Sequence, residues 1–212
     1  MLPVTLLLAP LLFLGGSAQW GRTPVCTGAT ECFSYVTLCR DTEYESRAYE
    51  PSHWIGTQVL PAERRYRAIN RLREYFNRKN RPGILIERTS PTLTMYVNVN
   101  GVPRETAVFF YLPRRFLSNP PIPRDELVYL SNSPAQSMFV RSAGSIFFNL
   151  KRASQELFED LLRQREIFMQ DRFYLAEYHR PLSILGRRNE IWFQALGPVR
   201  CGSRFGSGQS TA

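Results

Sequence analysis

A chain of 212 residues with 43% hydrophobic and 21% charged side chains can build one substantial core or two small ones, which excludes a disordered or fibrous protein. Thirteen glycines and fifteen prolines follow no period, so a collagen-like repeat is excluded as well, and only the Gly/Ser-rich stretch 202–212 is compositionally biased. The net charge of +9 is uneven, because residues 61–82 carry eight basic side chains against Glu63 and Glu74, a pattern that favours a partner with anionic groups.

The one long apolar run, residues 2–14, is too short for a helix to cross a hydrocarbon core, which takes roughly twenty residues. Gly15, Gly16, Ser17 and Ala18 follow it, with small residues where signal peptidase needs them. Residues 1–18 are therefore predicted to be a signal peptide cleaved after Ala18, with no transmembrane segment, and the protein is expected to be secreted and extracellular. Cys26, Cys32, Cys39 and Cys201 all follow the cut and suit two disulfides made in an oxidising lumen. An extended run from Cys32 to Cys39 would span over ~20 Å against the roughly 6 Å between bridged Cα atoms, so direct 32–39 pairing is disfavoured. Cys201 is expected to tie the C-terminus to the N-terminal strand. No Cys-x-x-Cys occurs, and His53 and His179 stand far from any cysteine pair, so no metal site is indicated; His53 is at most a weak candidate ligand.

Residues 32–40 read as a short strand, and 44–60 as a longer one bent at Pro51. Pro61 is placed to open a helix running to about Lys79, with Tyr66, Ile69, Leu72 and Phe76 at helical spacing. Strands are predicted over 84–99, with a break at Ser90-Pro91, and over 105–112, joined by the Asn100-Gly101 turn. After a proline-rich connector, 113–124, the order repeats: strands at 127–130 and 137–140, a helix over 149–168, then strands at 173–178 and 190–195. Each half thus reads β-β-α-β-β. The prediction is one α+β domain, an internal duplication with two helices on an antiparallel sheet curved toward a barrel.

Several strings then stand out: Arg47-Ala48-Tyr49-Glu50-Pro51 with Trp54, Lys79-Asn80, Thr89-Ser90-Pro91, Pro120-Pro121, Phe139-Val140-Arg141-Ser142, and Gly186-Arg187-Arg188-Asn189-Glu190-Ile191-Trp192. In kind and order they resemble the signature segments of the SOUL haem-binding protein family over roughly residues 32–196. The resemblance implies a pseudo-twofold, distorted antiparallel β-barrel of two β-β-α-β-β halves with two helices. It also implies binding of haem or another porphyrin, without catalysis, in an apolar groove beside the first helix. The domain is set at 32–198, after an N-terminal extension 19–31 and before a flexible C-terminal tail 199–212. Some family members carry a histidine, proposed as an iron ligand, where this chain has Ala48, so binding is expected through packing and pairing of the ligand's carboxylates, with no fixed axial ligand.

Helix geometry sharpens that expectation. At about 100° per residue, Ala62, Tyr66, Ile69, Leu72 and Phe76 fall on one apolar arc, while Arg64, Arg67, Arg71 and Arg78 fall opposite and read as a solvated face. Arg65 and Arg73 lie on or beside the arc and are the candidates to meet the propionates. The predicted haem-binding set is therefore Tyr66, Ile69, Leu72, Phe76, Arg65 and Arg73. No nucleophile motif, Gly-rich phosphate loop or metalloprotease motif occurs, so an enzyme is not expected, and Glu190 is expected to partner an arginine such as Arg47 or Arg141. Secretion disfavours nucleic acid as a partner. The competing expectation is an interaction protein that has lost haem and uses its basic helix on polyanions such as sulfated glycans or anionic lipid headgroups.

Overall fold

The computed structural model describes residues 29–143, 149–178 and 188–199. The predicted signal peptide, Cys26, His179, Cys201 and residues 200–212 lie outside them. The described residues form two α-helices and eleven strands, the strands arranged as a short parallel pair, β1 (Glu31–Cys32) with β5 (Thr89–Ser90), and a nine-stranded antiparallel sheet. The sheet contains β2 (Tyr35–Arg40), β3 (Glu45–Tyr49), β4 (Ser52–Gln58), β6 (Thr92–Val99) and β7 (Val102–Tyr111) from the first half of the chain. The second half adds β8 (Val128–Ser133), β9 (Gln136–Ala143), β10 (Arg172–Tyr178) and β11 (Arg188–Gln194). Helix α1 is Arg65–Phe76 and α2 is Leu150–Arg163.

The strand order β2-β3-β9-β11-β10-β6-β7-β4-β8 reads the same from either side of the β10/β6 contact once β2 is set aside: β3 answers β8, β9 answers β4, and β11 answers β7. Each half lends its first strand to the other half's outer strand, β3 to β9 and β8 to β4. The predicted barrel is corrected in one respect. The ends of the sheet, β2 and β8, are not hydrogen-bonded to each other, so the sheet is open. It still curls strongly, because Phe33 stacks on Tyr49 of β3 at 4.7 Å and meets Trp54 of β4 edge-on at 5.1 Å.

Alternation along the strands gives each face its own core. Ile55 and Val108 point to α1, where they pack on Ala68, Leu72, Tyr75 and Phe76. Phe139, Leu175, Ile191 and Phe193 point to α2 and its Leu157 and Leu161. The intervening positions, Trp54, Leu93, Met138, Val140 and Trp192, face the other way into an aromatic cluster. Asn100 and Gly101 both have positive φ, 51° and 75°, as the two-residue hairpin between β6 and β7 requires.

Local chemistry moves several predicted boundaries. Helix α1 begins at Arg65 rather than Pro61, since Ala62 sits at φ 60° and cannot continue a right-handed helix. Its end is locked by buried Asn80, whose amide donates to the carbonyls of Tyr75 (2.9 Å) and Ile84 (2.8 Å) and accepts from the Ile84 amide. Residues 84–88, predicted as strand, instead form a connecting segment, and the strand proper starts after the cis Ser90-Pro91 bond. Helix α2 starts behind Asn149, whose side chain accepts from the Arg152 amide at 3.0 Å, and stops at Arg163 instead of Phe168. The first predicted strand is two, β1 and β2, parted at Phe33-Ser34. Cys32 and Cys39 are both disulfide-bonded. No helix among the described residues is long and apolar enough to cross a membrane.

Candidate functional site

Beside α1 lies a groove of about 490 Å³, within the range of ligand pockets, roughly 300–1,000 Å³. One wall is the helix flank carrying Ile69, Arg73 and Phe76; the other is the connecting segment with Leu85, Ile86 and Arg88; Phe110 of β7 forms the floor. The two walls are joined where the Ile86 amide donates to the Phe76 carbonyl at 2.9 Å. The N-terminal segment braces the outer wall, since the Thr30 amide donates to the Arg88 carbonyl and β1 runs parallel to β5. Thr92 and Glu177, partners across β6 and β10, close one end.

Of the predicted set, Ile69, Phe76 and Arg73 line this groove. Leu72 is fully buried and belongs to the core behind it. Tyr66 is 53% exposed and lies outside the lining, because the buried face of α1 is centred on Leu72, about 120° away at 100° per residue. Tyr75 takes the core position instead, its hydroxyl donating to the Pro121 carbonyl at 2.6 Å. Arg65 is committed to protein partners: it donates to Glu177 through two nitrogens and to Thr94 Oγ1 at 3.0 Å, and its Nε lies 3.6 Å from Glu105. Burial works against its charge, yet these carboxylates hold its pKa above the ordinary arginine value. Arg73 is exposed, and among the described residues its side chain donates to Asn70 Oδ1 alone, at 3.2 Å.

Arg88, Leu85, Phe110 and Glu177 were not legible as lining residues. Arg88 and Leu85 fall in a segment whose β-rich composition hid its irregular course, and the register that brings Glu177 to the groove leaves no mark in sequence. His53 lies elsewhere, on β4, with Nε2 2.8 Å from the Leu117 carbonyl. Among the described lining residues there is no His, Met, Cys or Tyr.

The basic face of α1 also needs correction. Arg71 is not solvated: it forms a two-nitrogen pair with Glu63, donates to Thr57 Oγ1 at 3.1 Å and to the Gln58 carbonyl at 2.7 Å, and so clips α1 to β4. Arg64, Arg67 and Arg78 remain exposed. Arg71→Ala is expected to lower stability by about 1–3 kcal/mol, and Arg67→Ala to leave the melting temperature unchanged. The hydrogen bond from Arg71, reinforced by the Leu60 amide, lowers the Glu63 pKa from its ordinary 4.5. A lowered carboxylate pKa stabilises the fold above the unfolded value and loses that contribution as pH falls through the folded one. The gap in melting temperature between wild type and Arg71→Ala should therefore be full above pH 4.5 and narrow at more acid pH, leaving the part that comes from Thr57 and Gln58.

A second cavity, about 90 Å³ among Trp54, Phe109, Tyr174 and Trp192, is too small for a ligand of this class. Behind it lies a buried ion cluster. Arg47 and Glu190, each 1% exposed, form a two-point pair at 2.9 and 3.2 Å; Arg188 adds a contact to Glu190 at 2.6 Å, and the Trp192 indole donates to it at 2.9 Å. Arg47 is thus the arginine that Glu190 partners, while Arg141 pairs with Asp160 and Glu43.

Comparison with known proteins gives one consistent answer. Mouse heme-binding protein 2 is 29% identical over 157 residues, covering 70% of this chain and 76% of that protein. Mouse heme-binding protein 1 is 26% identical over 188 residues, covering 84% of this chain and 93% of that one. Among solved structures, the EcmrR C-terminal domain superposes with a TM-score of 0.50 at 12% identity, covering 71% of this chain and 96% of that domain, a likeness of fold alone. The model of the SOUL heme-binding protein family matches residues 30–194, and the chain belongs to that family.

Proposed function

We propose that this protein is a secreted binder and carrier of haem or a related tetrapyrrole, held in the groove beside α1. The observation that carries the reading is the composition of that groove: apolar walls from Ile69, Leu85, Ile86, Phe76 and Phe110, with Arg73 and Arg88 at the rim. A flat apolar ring bearing two carboxylates needs a slot of this kind and cations at its lip. Neither rim arginine has a carboxylate partner among the described ion pairs, so both are available to a ligand. The names of the mouse relatives point to the same ligand. The site has the means to bind and shield a tetrapyrrole, and the role proposed is carriage without chemistry. Haemin added to the disulfide-intact protein should give a saturable Soret shift at one equivalent; the absence of saturation would refute the reading.

Secretion is part of the same proposal. It is supported by the apolar run at residues 2–14 and by the oxidised state of Cys32 and Cys39, since structural disulfides belong to oxidising compartments. Protein recovered from the medium of expressing cells should begin at Gln19, as intact mass will report. Retention of the full chain inside cells would contradict it.

A further inference from the structure

We infer that Glu177 is a specificity residue: it makes the groove accept tetrapyrroles whose carboxylates lie along one edge and disfavour those with carboxylates around the whole perimeter. The inference rests on the tetrapyrrole reading above and adds a direction to it.

The groove is electrically polarised along α1. Arg65 and Arg73 are eight residues apart, about 12 Å along the helix axis at 1.5 Å per residue, with Ile69 midway between them. At one end stands Arg73, while Arg88 lies on the opposite wall, and Glu177 is the single carboxylate among the described lining residues. At the other end stands Glu177, with a side chain only 13% exposed and yet part of the lining. The charge of Arg65 does not leave this end cationic. Its guanidinium is shared between Glu177 and Glu105, and the three charges sum to a net negative one. Tyr96 donates to Glu105 at 2.9 Å and Thr94 accepts from Arg65 at 3.0 Å, which hold the group in place.

A ligand that spans the groove therefore meets the Arg73 cation at one end and a fixed carboxylate at the other. Carboxylates at the Arg73 end gain charge-assisted hydrogen bonds. Carboxylates at the Glu177 end are placed against like charge in a partly desolvated site, the repulsive element by which a binding site excludes a near relative of its ligand. Apolar vinyl or alkyl edges suit that end. A ring with two carboxylates on one edge can satisfy both ends at once, and a ring with eight carboxylates around it cannot.

The test titrates the mature, disulfide-intact protein, followed by porphyrin absorbance and fluorescence, with protoporphyrin, which carries two carboxylates on one edge, and with uroporphyrin, which carries eight around the ring. Wild type should bind protoporphyrin at least about tenfold more tightly, and Glu177→Gln should improve uroporphyrin binding and so narrow the ratio of the two affinities about fivefold. Because uroporphyrin is also the less apolar ring, it is the change on substitution that tests Glu177. Glu105→Gln, which removes the other carboxylate of the same end, should act in the same direction and serves if Glu177→Gln does not fold. Uroporphyrin affinity unchanged in the folded variants would overturn the role of Glu177 and leave the groove intact as a haem site. Failure of wild type to bind either porphyrin would overturn the tetrapyrrole reading, and the inference with it.

Discussion

Glu190→Gln is expected to cost about 3–5 kcal/mol of stability, the usual penalty for removing one partner of a buried ion pair. For a chain of this size that is a fall of about 6–20 °C in melting temperature. The Glu190 carboxylate takes hydrogen bonds from Arg47, which is as buried as itself, and from the Trp192 indole, and it touches Arg188. Glutamine preserves the shape and removes the charge, leaving the Arg47 guanidinium in the interior with Glu45 as its other carboxylate. Burial opposes the Arg47 charge, and Glu190 more than restores it, so that its pKa lies above the ordinary arginine value in the folded protein. Arg47→Met should be milder, because Glu190 keeps Arg188 and Trp192. The double variant Arg47→Met, Glu190→Met should recover much of the loss, since well-packed apolar residues commonly replace a buried pair at little cost. Thermal melts of the three variants decide the matter; a Glu190→Gln protein that melts with wild type would show that the pair contributes nothing.

The second large effect concerns the ligand. Removing a charge-assisted contact to a propionate costs roughly 1.5–3 kcal/mol, about ten- to a hundredfold in affinity. Arg73→Ala and Arg88→Ala should each weaken haemin binding to that extent, and the double variant by more than either. Arg67→Ala, exposed on α1 and outside the groove lining, should leave the affinity unchanged. Arg65→Ala should behave differently from Arg73→Ala, because Arg65 already holds Glu177: its loss frees a carboxylate at the groove and loosens the contact between α1 and β10. His53→Ala should not alter the Soret position, with the imidazole placed at the Leu117 carbonyl and outside the groove. Equal affinities for wild type and the Arg73, Arg88 double variant would remove the proposed carboxylate contacts.

Much of this architecture is legible in sequence because it rests on local signals. Asn100-Gly101 marks the hairpin through its two positive φ angles, and the twofold recurrence of strand, strand, helix, strand, strand anticipates a strand order that reads alike from both sides. The position of the groove beside α1 follows from the family resemblance, not from periodicity. Periodicity misplaces the helix face: Tyr66 and Tyr75 are the same residue type, but Tyr75 lies about 60° from Leu72 on the face that packs into the core, where its hydroxyl finds the Pro121 carbonyl, and Tyr66 lies about 120° away and is exposed. Arg65 and Arg73 look equivalent on a helical wheel. The first is claimed by Glu177, more than a hundred residues away, and the second is not. Arg71 reads as a solvent-facing charge because nothing local shows that Glu63, just before the helix, turns back to meet it. Helix start is misjudged for a similar reason, since Pro61 is a favourable first residue and the left-handed turn at Ala62 has no residue signature.

The central claim is that a tetrapyrrole occupies the slot between α1 and the segment leading into β5, and paramagnetic broadening by haemin tests it most directly. In isotope-labelled protein titrated with haemin, the amide signals of Ile69, Arg73, Phe76, Leu85 and Phe110 should broaden first and saturate together at one equivalent. Those of Trp54 and Trp192, in the aromatic cluster on the other face of the sheet, should persist. Broadening centred on Trp54 and Trp192, or spread without saturation over the arginine-rich surface, would contradict the assignment of the groove.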